Sequence, residues 1–187
     1  MENETINSMS SPNNKKYSLS NSKLVRLSLL IALGLILFLF ESFIPRPLPW
    51  LKPGLAHIAT LIAIIMMGMR EAIIVVVIRV LVGSLLLGSL FNPAFVLSFG
   101  GGVTATLVMA LTHRYFSRTF SIFGISILGA VVHNLTQLLL VQILIVHRIE
   151  IFYLAPFMIL SSLFTGFIVG LLSFLLIQKI QLVSIPR

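Results

Sequence analysis

From residue 24 to residue 178 the chain is a succession of apolar runs, broken only by short polar turns. A run of about 20 apolar residues, rising 1.5 Å each, crosses the hydrocarbon of a bilayer. There every backbone donor and acceptor must be satisfied within the segment, which leaves the α-helix as the form for such runs. The runs lie at 24–44, 55–69, 72–90, 94–111, 122–146 and 152–178. They predict an all-α membrane protein, a bundle of about six transmembrane helices. The second run is short for a full span, so it is expected to be buried in the bundle or partly re-entrant.

Composition agrees with lipid as the solvent. The chain of 187 residues is 58% hydrophobic and 10% charged. A soluble domain carries about 25% charged residues, and a chain this short still needs polar surface to cover itself in water. There is no cysteine, which excludes disulfides, thiolate metal sites and cysteine nucleophiles. There is also no aspartate; the acids are Glu2, Glu4, Glu41, Glu71 and Glu150.

Residues 1–22 are polar, rich in Ser, Asn and Lys, and read as a disordered cytoplasmic tail. Residues 23–180 form one transmembrane domain, and 181–187 a short second tail. A cleaved signal peptide is not expected, because the first apolar run begins late and is long enough to span. The segment 45–54 holds four prolines, which break the helix, and Trp50 stands where an interfacial aromatic sits. The net charge of +8 reflects basic residues at the ends of apolar runs, so it is a topology signal and not a nucleic-acid footprint. With six spans and the N-terminus inside, nine Lys and Arg fall on the cytoplasmic side and three outside, which places both termini in the cytoplasm of an inner membrane.

Arg79 is the most informative position. Apolar residues flank it on both sides within the third run. An arginine at such depth costs at least about 2.5 kcal/mol on insertion scales, so it should face the bundle interior and have a partner. It is a candidate for binding a carboxylate or phosphate; the competing reading is a structural pair with an internal acid or helix carbonyls. Glu41 is the acid inside a predicted span, near the outer end of the first, where it can pair with Arg79 or Arg46 or meet the interface.

His133, Asn134 and Gln137 form a polar cluster on the fifth run. His133 and Gln137 are four apart and share a helix face. They suit a ligand or proton site between helices, or plain interhelical hydrogen bonding. A lone histidine without further ligands is no metal site, and no cofactor is implied. Gly100, Gly101 and Gly102 permit close approach of a helix or ligand, or an opening of the fourth helix. His57 and Thr60 lie near the outer start of the second run, where they can line the same cavity. The sequence holds no nucleophile elbow, phosphate-binding loop or paired carboxylates.

Several segments together resemble a bacterial membrane family: Lys52-Pro-Gly-Leu-Ala-His-Ile-Ala-Thr60, Arg79-Val-Leu-Val-Gly-Ser84, Phe91-Asn-Pro-Ala-Phe95, Gly100-Gly-Gly102 and Gly129-Ala-Val-Val-His-Asn134. The family is heptaprenyl diphosphate synthase component I, also grouped with the Gx transporters and related to the substrate-binding (S) components of energy-coupling factor transporters. The resemblance covers about residues 23–179. The synthase label implies an accessory role beside a soluble prenyltransferase. Without aspartate the chain lacks the expected magnesium–diphosphate motif, which argues against catalysis by it alone. The transporter grouping implies a bundle that binds a small anionic or amphipathic compound and relies on a transmembrane coupling protein with ATPases. S components dock through small residues at four-residue spacing on the first helix; here Ser28 and Ala32 are followed by Gly34 out of register.

The expectation drawn from these readings is uptake of a small organic compound. Arg79 would neutralise it, and His133, Asn134 and Gln137 would orient it. Glu41, His57, Gly100 and Gly101 would line the same site, with the 45–54 loop covering it. The alternative is a non-catalytic subunit of prenyl diphosphate synthesis.

Overall fold

The computed structural model describes residues 12–44 and 54–183, with side chains over 21–44 and 54–182. Six α-helices follow one another: α1 Pro12–Phe43, α2 His57–Met66, α3 Met69–Leu86, α4 Pro93–Phe116, α5 Ile122–Val141 and α6 Ala155–Val183. A π-helical turn, Gln142–Val146, extends α5, and a 3-10 turn, Ile149–Leu154, leads into α6. Four stretches are long and apolar enough to cross a membrane: Asn21–Phe43, Pro93–Phe116, Ile122–Val146 and Ile149–Leu182. The chain is a multi-pass, all-α membrane protein. Large apolar side chains face outward along the helices, among them Leu29, Ile36, Phe40, Phe164 and Leu175. Lipid takes the place of polar cover there.

Helix boundaries follow from local chemistry. Pro93 opens α4, where its missing N–H costs nothing, and the Asn92 side chain accepts from the Ala94 N–H at 3.1 Å. Ser121 caps α5 by accepting from the Gly124 N–H at 3.3 Å. The turn between α2 and α3 needs Gly68, whose φ of 108° lies outside what a side chain tolerates.

Helix α1 begins ten residues before the expected tail boundary. Pro12 is well suited to a first helical turn, and extending an existing helix through polar residues is cheaper than nucleating one. At the other end α6 runs to Val183, into the expected second tail. The 45–53 segment, with Trp50 and the expected cover of the site, lies outside the described residues, as do 1–11 and 184–187.

The fourth helix is continuous through Gly100, Gly101 and Gly102, so of the two readings of this run the close approach holds and the opening does not. Thr104 Oγ1 donates to the Gly100 carbonyl at 2.8 Å, and Thr106 Oγ1 donates to the Gly102 carbonyl at 2.7 Å. These bonds hold the turn in helical form.

Helix α2 is the axis of the bundle. Its residues His57 to Ile64 are all buried, and α1, α3, α4 and α6 pack around it. The short second run is therefore an internal helix, one of the two forms expected for it. Helix α1 turns Leu30, Gly34, Phe38 and Glu41 inward, at steps of four, four and three. Helices α5 and α6 approach closely: a Cβ on Gly166 would sit 2.7 Å from the Ile127 Cα, and one on Gly170 would sit 3.1 Å from the Phe123 Cα. At the end where α1 enters and α3 begins, Lys23 pairs with Glu71.

Candidate functional site

The inward face of α1 carries Glu41 to the mouth of α2, where it is 2% exposed. Its Oε1 accepts from the Ala56 N–H at 3.2 Å. Ala56 is the N-cap residue of α2 and brings no side-chain cap of its own. A carboxylate from another helix thus satisfies a donor at a helix start, where negative charge is also favoured by the backbone dipoles.

His57, the first residue of α2, meets His133 of α5. The rings are edge-on, with centroids 4.7 Å apart and planes at 78°. His57 Nε2 and His133 Nδ1 are 3.2 Å apart. Arg79 reaches the same ring from α3, with Nη2 at 3.4 Å from His57 Nδ1. Its stem lies against Gly34 of α1: a Cβ there would sit 3.2 Å from Arg79 Cδ. On the other side a Cβ on Gly102 would sit 3.9 Å from Arg79 Nη2. Two glycines on two helices thus make the slot that the arginine occupies.

The direction of these hydrogen bonds is fixed by chemistry. A guanidinium only donates, so His57 Nδ1 is the acceptor. In the neutral ring the proton is then on Nε2, which donates to His133 Nδ1. His133 in turn carries its proton on Nε2. The three side chains form one directed chain, Arg79 to His57 to His133.

Much of the donor capacity of the arginine is unused. Arg79 is 3% exposed, and neither Nε nor Nη1 has a hydrogen-bond partner among the described residues. Gln137, one turn beyond His133, is fully buried with both amide atoms unpartnered. Its Cγ would lie 3.1 Å from a Cβ on Gly101, and His133 Nδ1 would lie 2.9 Å from the same atom. Gly101 is therefore the seat of both side chains. Buried polar atoms left without a partner cost about 1–3 kcal/mol each.

Two small cavities border the histidine pair. One, lined by Glu41, His57, Arg79, Ser98 and His133 among others, holds about 10 Å³. The other, beside His57, Ser126, His133, Asn134 and Thr165, also holds about 10 Å³. Each takes one water. Neither cavity has room for an organic compound in this conformation.

The expected residues divide into two groups. Glu41, His57, Arg79, His133, Gln137 and Gly101 come together at the centre. Asn134 faces α6, where its Nδ2 donates to Ser162 Oγ at 2.7 Å and Ser162 Oγ donates to the Met158 carbonyl at 2.6 Å. Gly100 packs against Leu140, whose Cδ1 would lie 2.6 Å from an added Cβ, and does not reach the centre. Sequence reading missed Gly34 as the arginine seat and Ser98, Ser126 and Thr165 as cavity walls. The one local signal for Gly34 is its place two turns before Glu41, on the same face of α1.

Among known proteins, no curated protein matches this chain and no solved structure matches it. The family model described as heptaprenyl diphosphate synthase component I matches residues 30–176, from the buried face of α1 to the last turns of α6. The match spans every element that builds the Arg79 centre, and the chain belongs to the heptaprenyl diphosphate synthase component I family.

Proposed function

We propose that this chain is a non-catalytic, membrane-embedded subunit that binds an anionic, amphipathic compound of the prenyl diphosphate type at Arg79. In this reading it serves prenyl diphosphate synthesis beside a soluble prenyltransferase that does the chemistry. The observation that carries the binding reading is the Arg79 guanidinium, buried in the bundle with Nε and Nη1 unpartnered. Such donors in a low-dielectric site attract phosphate or carboxylate strongly. The family description supports the biosynthetic role. The absence of aspartate from the sequence supports leaving catalysis to the partner.

A second reading is uptake of a small organic anion across the membrane, in the manner of a substrate-binding transporter component. One observation favours it. The centre lies near the end of α1 and the start of α2, away from the Lys23–Glu71 pair. With both termini in the cytoplasm, as the basic residues imply, that is the outer half of the membrane.

The test is binding of geranyl diphosphate to the purified full chain in nanodiscs, for the native protein and Arg79→Ala. Saturable binding lost at least tenfold in the variant is the expected result; equal binding by both refutes the site. Adding the soluble prenyltransferase then separates the roles. Chain elongation that needs both proteins supports the biosynthetic role. Uptake of a labelled anion into proteoliposomes, with elongation indifferent to this chain, supports transport.

A further inference from the structure

We propose that the groove between α1, α2 and α6, at the end of the bundle marked by the Lys23–Glu71 pair, binds one anionic phospholipid, with a hydrocarbon chain laid against α2 and the phosphate held by Arg26. The site is separate from the Arg79 centre, and the proposal does not rest on the reading of that centre.

The groove follows from how three helices meet. Helices α1 and α6 each pack against α2 but barely meet each other. A face of α2 between them is therefore left without a helix to cover it. Ile62 and Met66 of α2 form the floor, Leu29 and Leu30 of α1 one wall, and Ile180 of α6 the other. Arg26 lines the same groove at the end nearer Lys23. Leu29 and Ile180 are exposed, so the groove opens sideways toward lipid.

Size and chemistry restrict the occupant. The groove holds about 220 Å³. A cavity of about 150 Å³ is enough for benzene, so a stretch of one hydrocarbon chain fits. A further helix, about 10–12 Å across with its side chains, is too wide to enter. The Met66 side chain is unbranched and adapts to the irregular outline of such a chain.

The head group supplies the selectivity. A hydrocarbon chain gains little by leaving bulk lipid for this groove, because lipid tails are as apolar as leucine. Lys23 is neutralised by Glu71. Arg26, Arg70 and Lys179 lie at the same end, all exposed, and among the described residues none of them has an acidic partner. Arg26 is three residues along α1 from Lys23, so its long side chain reaches the interface while its stem lies along the apolar wall. A guanidinium holds a phosphate through two parallel hydrogen bonds. A zwitterionic head would bring its own cation against Arg26 and Lys179, and an anionic head does not. The basic residues place this end in the cytoplasm, and the cytoplasmic leaflet is the one rich in anionic lipid.

The test is native mass spectrometry of the full chain released from nanodiscs that hold phosphatidylglycerol and phosphatidylcholine, with identical chains, in equal amounts. One retained phosphatidylglycerol per protein, in preference to phosphatidylcholine, is the expected result. Equal retention of the two lipids overturns the proposal. Arg26→Gln should lower the preference about fivefold, the weight of one cation near an anionic surface. Arg118→Gln, in the turn after α4 at the same membrane face, should leave it unchanged. An equal fall in both variants would mean a general field and no site, and also overturns the proposal.

Two further variants guard against a trivial loss of fold. Arg26→Lys keeps the cation and should keep most of the preference. Ile180→Trp fills the groove from its exposed wall and should reduce retention of either lipid; unchanged retention overturns the placement. Farnesyl diphosphate is the competing amphiphile. If it displaces phosphatidylglycerol at equal mole fraction, the groove belongs to a prenyl compound and the phospholipid assignment falls.

Discussion

His57 Nε2 lies 3.2 Å from His133 Nδ1, and the two residues are 76 positions apart in the chain. The pair joins the axial helix α2 to α5, and Arg79 sets its polarity by donating to the remaining nitrogen of His57.

That polarity gives the first prediction. In ¹⁵N spectra of the ligand-free protein at mildly alkaline pH, both His57 and His133 should be Nε2–H tautomers. A Nδ1–H tautomer at His57 would contradict the direction of the chain from Arg79.

The second concerns charge balance. Glu41 and Arg79 share a cavity, and the carboxylate attracts the guanidinium. Removing one of two interacting buried charges is destabilising, while removing both is milder. Arg79→Gln should therefore unfold at lower temperature than native, and Arg79→Gln with Glu41→Gln should recover much of the loss. Simple additivity of the two changes, measured by thermal unfolding in detergent, would show that the charges are independent.

A third prediction isolates the other task of Glu41. Glu41→Gln keeps an oxygen for the Ala56 N–H, whereas Glu41→Ala leaves that donor at the α2 start without its acceptor. The alanine variant should be less stable than the glutamine variant by about 1–2 kcal/mol. The reverse order would mean that charge alone explains the residue.

Neighbouring glycines of α4 give a fourth. An added Cβ on Gly100 meets only the flexible end of Leu140, so Gly100→Ala should fold and behave like native. On Gly101 the same atom lies 2.9 Å from His133 Nδ1 and 3.1 Å from Gln137 Cγ. Gly101→Ala should displace the imidazole and weaken the His57–His133 bond. The tautomer spectrum would report this as mixed Nδ1–H and Nε2–H at His133.

A fifth tests the contact of α5 with α6. A side chain on Gly166 meets the Ile127 backbone, which has no rotamer to give way. Gly166→Val should reduce the yield of monodisperse protein sharply. Leu171→Val, on a lipid-facing position of the same helix, should leave it unchanged.

Much of this centre was legible from residue types. A charge among apolar residues, as at Arg79, has few places to go in a membrane, and the four-residue step from His133 to Gln137 fixes a shared face. The union of His57 with His133 was not legible, because it depends on how α2 sits against α5 and neither helix encodes that locally. The role of Glu41 was hidden for the same reason: its partner is a backbone N–H, which leaves no mark in the sequence. The triple glycine left two readings open, close approach or an opened helix, and the sequence alone did not choose between them. Glycine lowers helix propensity, but Thr104 and Thr106 return hydroxyls to the carbonyls there and helix packing decides the outcome.

The buried helix α2 also bears on how this protein is made. Its ten residues span about 15 Å, half the hydrocarbon thickness. Arriving alone from the ribosome it would not be retained as a span, and its polar residues His57 and Thr60 would weigh further against its partitioning into lipid. It has to be received by α1 and held until α3 emerges, so the first three helices enter the membrane as one cooperative unit. A substitution that loosens α2 from α1 would then appear first as wrong topology during synthesis, before any loss of stability in the finished protein.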